Sequence, residues 1–180
     1  MKNQNREYKT PIGAIPKIVN NFKPITENQQ LFFNKISDFN NQLILCHGIA
    51  GTGKTYVSVY KALQDVLRRG TPYNKLIIIN PTVDVGNEDK LGYLPGELDK
   101  KIQQYNESTF TILDKIVGKS RATKMVSDNK LEIGVVNFLR GVNLENCYVI
   151  LDEAQNISPM QIKTLVTRIS QDCKMIIQGD

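Results

Sequence analysis

The sequence predicts an α/β domain in three layers, with helices on both faces of a mostly parallel sheet. Two observations carry this expectation. Four short runs, LILCH (43–47), KLIIIN (75–80), CYVILD (147–152) and CKMIIQ (173–178), are apolar almost throughout and are bounded by turn residues. Such runs are the pattern of strands buried on both faces. Helical patterns lie between them, so strand and helix alternate as a doubly wound sheet requires. LEIGVV (131–136) is a candidate fifth strand.

The elements follow in order. Residues 1–22 carry Pro11, Gly13 and Pro16 without periodicity, which predicts an N-terminal arm, and residues 23–180 form the domain. Thr26 is a candidate N-cap, Gln29 stands three residues on as in a capping box, and Leu31, Phe32, Ile36 and Phe39 recur at helical spacing. A helix is therefore expected over Glu27–Phe39. Further helices are expected over Lys54–Arg69, from about Gly96 to Val117, and after Ser158, where Pro159 takes the first helical position and Gln161 completes a capping box.

With 180 residues, 41% of them hydrophobic, the chain is long enough for one domain with its own core. The net charge of +5 favours acidic or phosphate-rich partners. Cys46, Cys147 and Cys173 have no C-x-x-C spacing and each lies in an apolar run, so they are expected to be reduced, buried and cytoplasmic. The N-terminus has no apolar stretch of a secretion signal, and no run approaches the roughly 18 apolar residues of a membrane span. His47, without Cys or carboxylate neighbours, is expected to be structural.

Gly48-Ile49-Ala50-Gly51-Thr52-Gly53-Lys54-Thr55 satisfies G-x-x-x-x-G-K-[ST], after a predicted strand and at the start of a predicted helix. Glycines let such a loop curl so that backbone N–H groups face a phosphate, and the helix N-terminus favours the anion. Lys54 would bridge β- and γ-phosphates and the Thr55 hydroxyl would ligate Mg²⁺, with the nucleotide contacts running on to Tyr56. At the C-terminal end of YVILDEAQN, Asp152 would hold the metal and Glu153 would polarise an attacking water. Adjacent carboxylates with separate tasks point to hydrolysis of a nucleoside triphosphate rather than to transfer onto a small molecule.

GIAGTGKT, NPTVDVGNEDKLGYLPGEL, FLRGVNLENCYVILDEAQN and KMIIQGD together resemble the PhoH-like ATPases, relatives of superfamily 1 helicases; the similarity runs from about Lys23 to the end. The resemblance implies a RecA-like P-loop NTPase core, ATP and Mg²⁺ as ligands, and single-stranded RNA or DNA as a partner. It implies an adenine-reading role for Gln29 in TENQQ, beside its role in the cap. It places Gln178 as a catalytic polar sensor and Asp180 beside the γ-phosphate, with Gln155 nearby. Arg140, in an RG element, would contact phosphate or a neighbouring subunit of a homo-oligomeric ring, or else lie in a solvated loop. Asn80 and Thr82 fall where helicase-like cores touch a nucleic-acid backbone, although the family usually has Arg at the position of Asn80. Family members continue past QGD into further strands and an arginine-bearing element, so a domain lacking its C-terminal part is expected, as a truncation or a natural short form. The leading expectation is an ATPase coupled to RNA binding or remodelling. The alternatives are a nucleotide-binding module with little turnover and, behind it, a small-molecule phosphotransferase.

Overall fold

The computed structural model describes residues 21–81, 97–134, 144–170 and 172–180, with side chains from Glu107 onward in the helix that begins at Glu97. Its elements are α1 (Glu27–Ser37), β1 (Leu43–His47), α2 (Lys54–Leu67), β2 (Lys75–Ile79), α3 (Glu97–Val117), α4 (Lys119–Ser127), β3 (Leu131–Gly134), β4 (Cys147–Leu151), α5 (Pro159–Val166) and β5 (Lys174–Gly179). A 3-10 turn, Ala154–Asn156, follows β4. The five strands are all parallel, in the order β1-β5-β4-β2-β3.

Local chemistry explains the element ends. Thr26 caps α1 by accepting from Gln29 N–H, but the Gln29 side chain accepts from Ile25 N–H rather than from Thr26, so the expected capping box is displaced by one residue. The helix stops at Ser37 instead of Phe39 because Asp38 turns extended and its carboxylate accepts from Asn40 N–H. Ser158 and Gln161 form the expected reciprocal box, with Pro159 at the first position of α5. Gly118, at φ 83°, ends α3 and lets a separate helix, α4, begin where the apolar pattern predicts no element.

Alternation along the strands divides the core into two layers. Ile44, Leu76, Ile78, Tyr148, Ile150 and Ile176 face α1 to α4, while Ile77, Ile79, Val149, Leu151, Met175 and Ile177 face α5. The central strand β4 is buried at every residue, as its unbroken apolar run predicts. Cys147 and Cys173 are buried and reduced as expected, whereas Cys46, on the edge strand β1, is reduced but only half-buried.

A buried polar cluster ties the first layer together at the end of the sheet where the strands begin. Asp65 pairs with Lys61 and accepts from Tyr148 OH at 3.0 Å. Lys174, fully buried, donates to the carbonyls of Ile36 at 2.6 Å and Asp38 at 2.7 Å, closing the C-terminal turn of α1. A buried charge of this kind is tolerated only with such partners; stripping one costs about 3–5 kcal/mol.

Burial lowers the Lys174 pKa from 10.5 to about 8, with nearby Lys61 adding to the effect and Asp65 and Asp38 opposing it. Between those two pH values the unfolded chain holds a proton that the folded chain has released, so stability rises with pH across the window and is lost as pH falls through it. Urea unfolding at intervals from pH 8 to 10.5 is expected to show wild type gaining stability relative to Lys174→Met. A flat or falling difference would contradict the shift.

Candidate nucleotide-binding site

The loop between β1 and α2 is built on two glycines in the left-handed region, Gly51 at φ 78° and Gly53 at φ 86°. A side chain at Gly53 would also crowd Gln29 Nε2, which lies 3.3 Å from the position of its Cβ. Gln29 Nε2 donates to the Thr52 carbonyl at 2.9 Å, and the Thr52 hydroxyl donates to the Ile49 carbonyl at 2.8 Å. The loop is thus stapled to α1 on one side and closed on itself on the other. The leading N–H groups of α2 have no side-chain cap and its first turn has no acid, an arrangement that favours an anion.

Register brings the remaining groups to this loop. Asp152 and Gln178 each follow the last paired rung of neighbouring strands, Leu151 opposite Ile177, and both fall on the α2 face. Thr55 Oγ1, in the first turn of α2, donates to Asp152 Oδ2 at 2.8 Å. Gln178 Nε2 donates to Asp152 Oδ1 at 2.9 Å and to Thr55 Oγ1 at 3.2 Å. Gln178 is fully buried, and its Oε1 has no hydrogen-bond partner. Lys54 Nζ lies 2.7 Å from Asp180 Oδ1, and it also donates to the carbonyls of Gly48 and, at 3.1 Å, Ile49.

The acidic turn after β4 completes the arrangement. Glu153 is left-handed at φ 51°, its N–H donates to Asp152 Oδ1 at 3.1 Å, and its exposed carboxylate accepts from Gln155 Nε2 at 2.6 Å. Gln155 Oε1 accepts in turn from Asp180 N–H at 3.2 Å. A cavity of about 620 Å³ opens beside the loop, lined by Ile25, Thr26, Asn28, Gln29 and Phe32 on one wall and by Cys46 to Ile49, Gly51, Thr52 and Lys54 on the other. Phe32, expected only as a packing residue of α1, is part of that wall; nothing in a helical apolar period marks it out. Burial raises the Cys46 thiol above its usual range, against the opposing charge of Lys54.

Gln29, Lys54, Thr55, Asp152, Glu153, Gln155, Gln178 and Asp180 therefore come together. Ile49 and Ala50 are exposed on the loop, and Tyr56 instead packs its ring against Phe22 and Tyr60. Asn80 lies apart: it is buried, and its amide donates to Thr109 Oγ1 of α3 at 3.1 Å. Thr82, Arg140 and the KLGYLPG segment fall outside the described residues.

The hydroxyl and carboxylate oxygens of Thr55 and Asp152, with an orphaned amide oxygen behind them, fit a hard cation that completes its shell with water and phosphate oxygens. Among the described residues no group of three or more His, Cys, Asp or Glu forms a metal site, so any cation here would rely on that outside help.

A glycine loop after a parallel strand, a helix receiving it, and an acidic strand end reached across one intervening strand define a P-loop NTPase fold. The T4 phage UvsW helicase has a comparable fold, with a TM-score of 0.52 at 14% identity over 88% of this chain and 53% of that one. The chain belongs to the family described as PhoH-like protein, whose profile matches residues 21–180. It is 39% identical to a Bacillus subtilis PhoH-like protein over 140 residues, covering 78% of this chain and 43% of that protein. It is 34% identical to a Synechocystis PhoH-like protein, with coverages of 78% and 42%, and 33% identical to Escherichia coli Protein PhoH, with coverages of 77% and 39%. The chain thus spans less than half the length of these curated relatives. No helix among the described residues is long and apolar enough to cross a membrane.

Gly179 is where β5 meets the acidic turn: a Cβ there would overlap Gln155 Oε1 and lie 3.1 Å from Ala154 N. Gly179→Ala is expected to turn the Gln155 amide away from both Asp180 and Glu153, with a loss of about 1–3 kcal/mol for the crowding. Urea unfolding checks it, and an unchanged midpoint would show that the turn yields freely.

Proposed function

We propose that this chain binds MgATP and hydrolyses it, and that the cycle is coupled to binding single-stranded nucleic acid, RNA in the first instance. The observation that carries the reading is the cluster at the strand ends, where Thr55, next to Lys54 in the chain, is hydrogen bonded with Gln178 and Asp152. Thr55 and Asp152 would hold Mg²⁺, which would supply positive charge to offset that of the phosphates.

The chain's own residues have distinct tasks in this reading. The loop amides and the α2 N-terminus hold the phosphates, and Lys54 exchanges Asp180 for a phosphate oxygen. Thr55 and Asp152 supply the cation's protein ligands, Asp152 directly or through water. Gln178 keeps both at their spacing, and its free Oε1 is available to a water of the cation's shell. Glu153 is the general base: its carboxylate accepts a proton from the attacking water, and Gln155 sets its direction. In this reading the base and ribose take the cavity beside Gln29. The net charge of +5 and the family's likeness to helicase cores support the nucleic-acid partner. A ring in which one subunit supplies an arginine to the next is the assembly that the same likeness supports, in the cytoplasm.

A nucleotide-binding module without turnover is the second reading, supported by the ties that hold Lys54 to Asp180 and Glu153 to Gln155. Steady-state phosphate release from MgATP, with and without single-stranded RNA, separates the two. Glu153→Gln is expected to lower turnover by about 10²–10⁴-fold, the usual contribution of a general base, while ATP binding persists. Turnover indifferent to Glu153→Gln would remove the proposed base, and binding with no turnover would select the module. RNA affinity is expected to fall steeply as salt rises, as phosphate contacts demand; a flat salt dependence would exclude them.

A further inference from the structure

Two of the three cysteines meet. Cys147 opens β4 and Cys173 immediately precedes β5, one rung before the Tyr148–Lys174 pair, and their sulfurs are 3.2 Å apart. Adjacent strands lie about 4.8 Å apart, inside the roughly 4.4–6.8 Å Cα spacing that a disulfide takes. Both thiols are on the α5 face, each 1% exposed, and Cys173 has half-buried Ser170 and Asp172 as outer neighbours at the rim of the sheet.

The surroundings differentiate the two sulfurs. Cys173 accepts from Cys147 and from the Ser170 hydroxyl at 3.7 Å, while its own thiol donates to the Leu144 carbonyl at 2.8 Å. The hydrogen bond from Cys147, aided by Ser170, lowers the Cys173 thiol to about 6, against burial. The same contact, together with burial, raises Cys147 far above the usual thiol range. The contact therefore makes Cys173 the more acidic thiol of the pair and keeps Cys147 within reach of it. Cys46, on the opposite face at the nucleotide cavity, has no thiol neighbour and is raised by burial.

We infer that Cys147 and Cys173 form a reversible oxidation site, a dithiol that peroxide converts to a disulfide strapping β4 to β5. The Cys173 thiolate attacks one peroxide oxygen, the O–O bond breaks, and hydroxide departs, leaving a sulfenic acid. The Cys147 sulfur then gives its proton to that hydroxide, making one water, and attacks the Cys173 sulfur; the S–O bond breaks, and the departing hydroxide takes up the proton Cys173 had released, making the second. Two thiols lose two electrons in all, and hydrogen peroxide is reduced to two waters. The strap lies at the start of the same ladder whose far end carries Asp152 and Gln178, five residues on along each strand. Oxidation fixes the register of those strands whether or not the chain hydrolyses nucleotide, so this inference does not depend on the function proposed above.

The test is hydrogen peroxide added to the folded wild-type chain, followed by thiol counting after denaturation and peptide mapping without reductant. The expected result is a fall from three free thiols to one, a linked Cys147–Cys173 peptide pair, and full reversal by dithiothreitol. Cys46→Ser is expected to form the same link. Cys147→Ala is expected to abolish the link and to slow oxidation of Cys173, because the hydrogen bond that lowers its thiol is gone. Oxidation of Cys46 first, sulfinic acid at Cys173 without a link, or no reaction of either thiol in the folded protein would each overturn the inference. The linked peptide is read in wild type, so the test is decided even where a variant fails to fold.

Discussion

The candidate site depends on the place of β5 between β1 and β4. The loop that begins after β1 and the acid that ends β4 belong to strands that do not touch; β5 fills the gap and pairs with both. Because all three are parallel, their C-terminal ends finish level, and period-two alternation puts Asp152 and Gln178 on the face that α2 covers. Thr55, at the start of α2, then has a carboxylate and an amide within hydrogen-bond reach without any distortion of its helix. A one-residue slip of either strand would turn its polar end residue to the α5 face and dissolve the cluster.

That dependence separates what the sequence makes legible from what it hides. The four apolar runs, the glycine loop and the Ser158 cap announce themselves because each is a local pattern with a local cause. Strand order is not local: nothing in CKMIIQ says that it inserts between LILCH and CYVILD. The proximity of Asp152 to Thr55 follows from motif chemistry, but the amide of Gln178 bonding to both rests on the ladder. Gln29 shows the same limit on a smaller scale. Its spacing from Thr26 correctly announces a helix start, yet its side chain bonds Ile25 N–H and the Thr52 carbonyl, a contact 23 residues away that no helical period encodes. The Cys147–Cys173 contact and the burial of Lys174 are hidden for the same reason, since one arises between neighbouring strands and the other between β5 and the distant end of α1.

The two ends of the sheet use buried polarity differently. Where the strands begin, Lys61, Asp65, Tyr148 and Lys174 satisfy one another and the last carbonyls of α1, so the charges are compensated within the fold. Where the strands end, compensation is incomplete: Gln178 Oε1 is buried without a partner and the α2 N-terminus has no cap. A buried acceptor left unpaired costs about 1–3 kcal/mol.

The contacts around the loop also form a circuit. Lys54 pairs with Asp180, Asp180 N–H donates to Gln155, Gln155 donates to Glu153, Glu153 N–H donates to Asp152, and Asp152 accepts from Thr55, the residue next to Lys54. Each link passes through a residue whose two polar groups serve two neighbours, so none of them moves alone. An anion that draws Lys54 from Asp180 would break the circuit at its one ion pair. The effect of that break would be felt at Gln155 and hence at the Glu153 carboxylate, across the site from the loop. The loop and the acidic turn are in this way mechanically linked, by a circuit that needs β5 between β1 and β4 to exist at all.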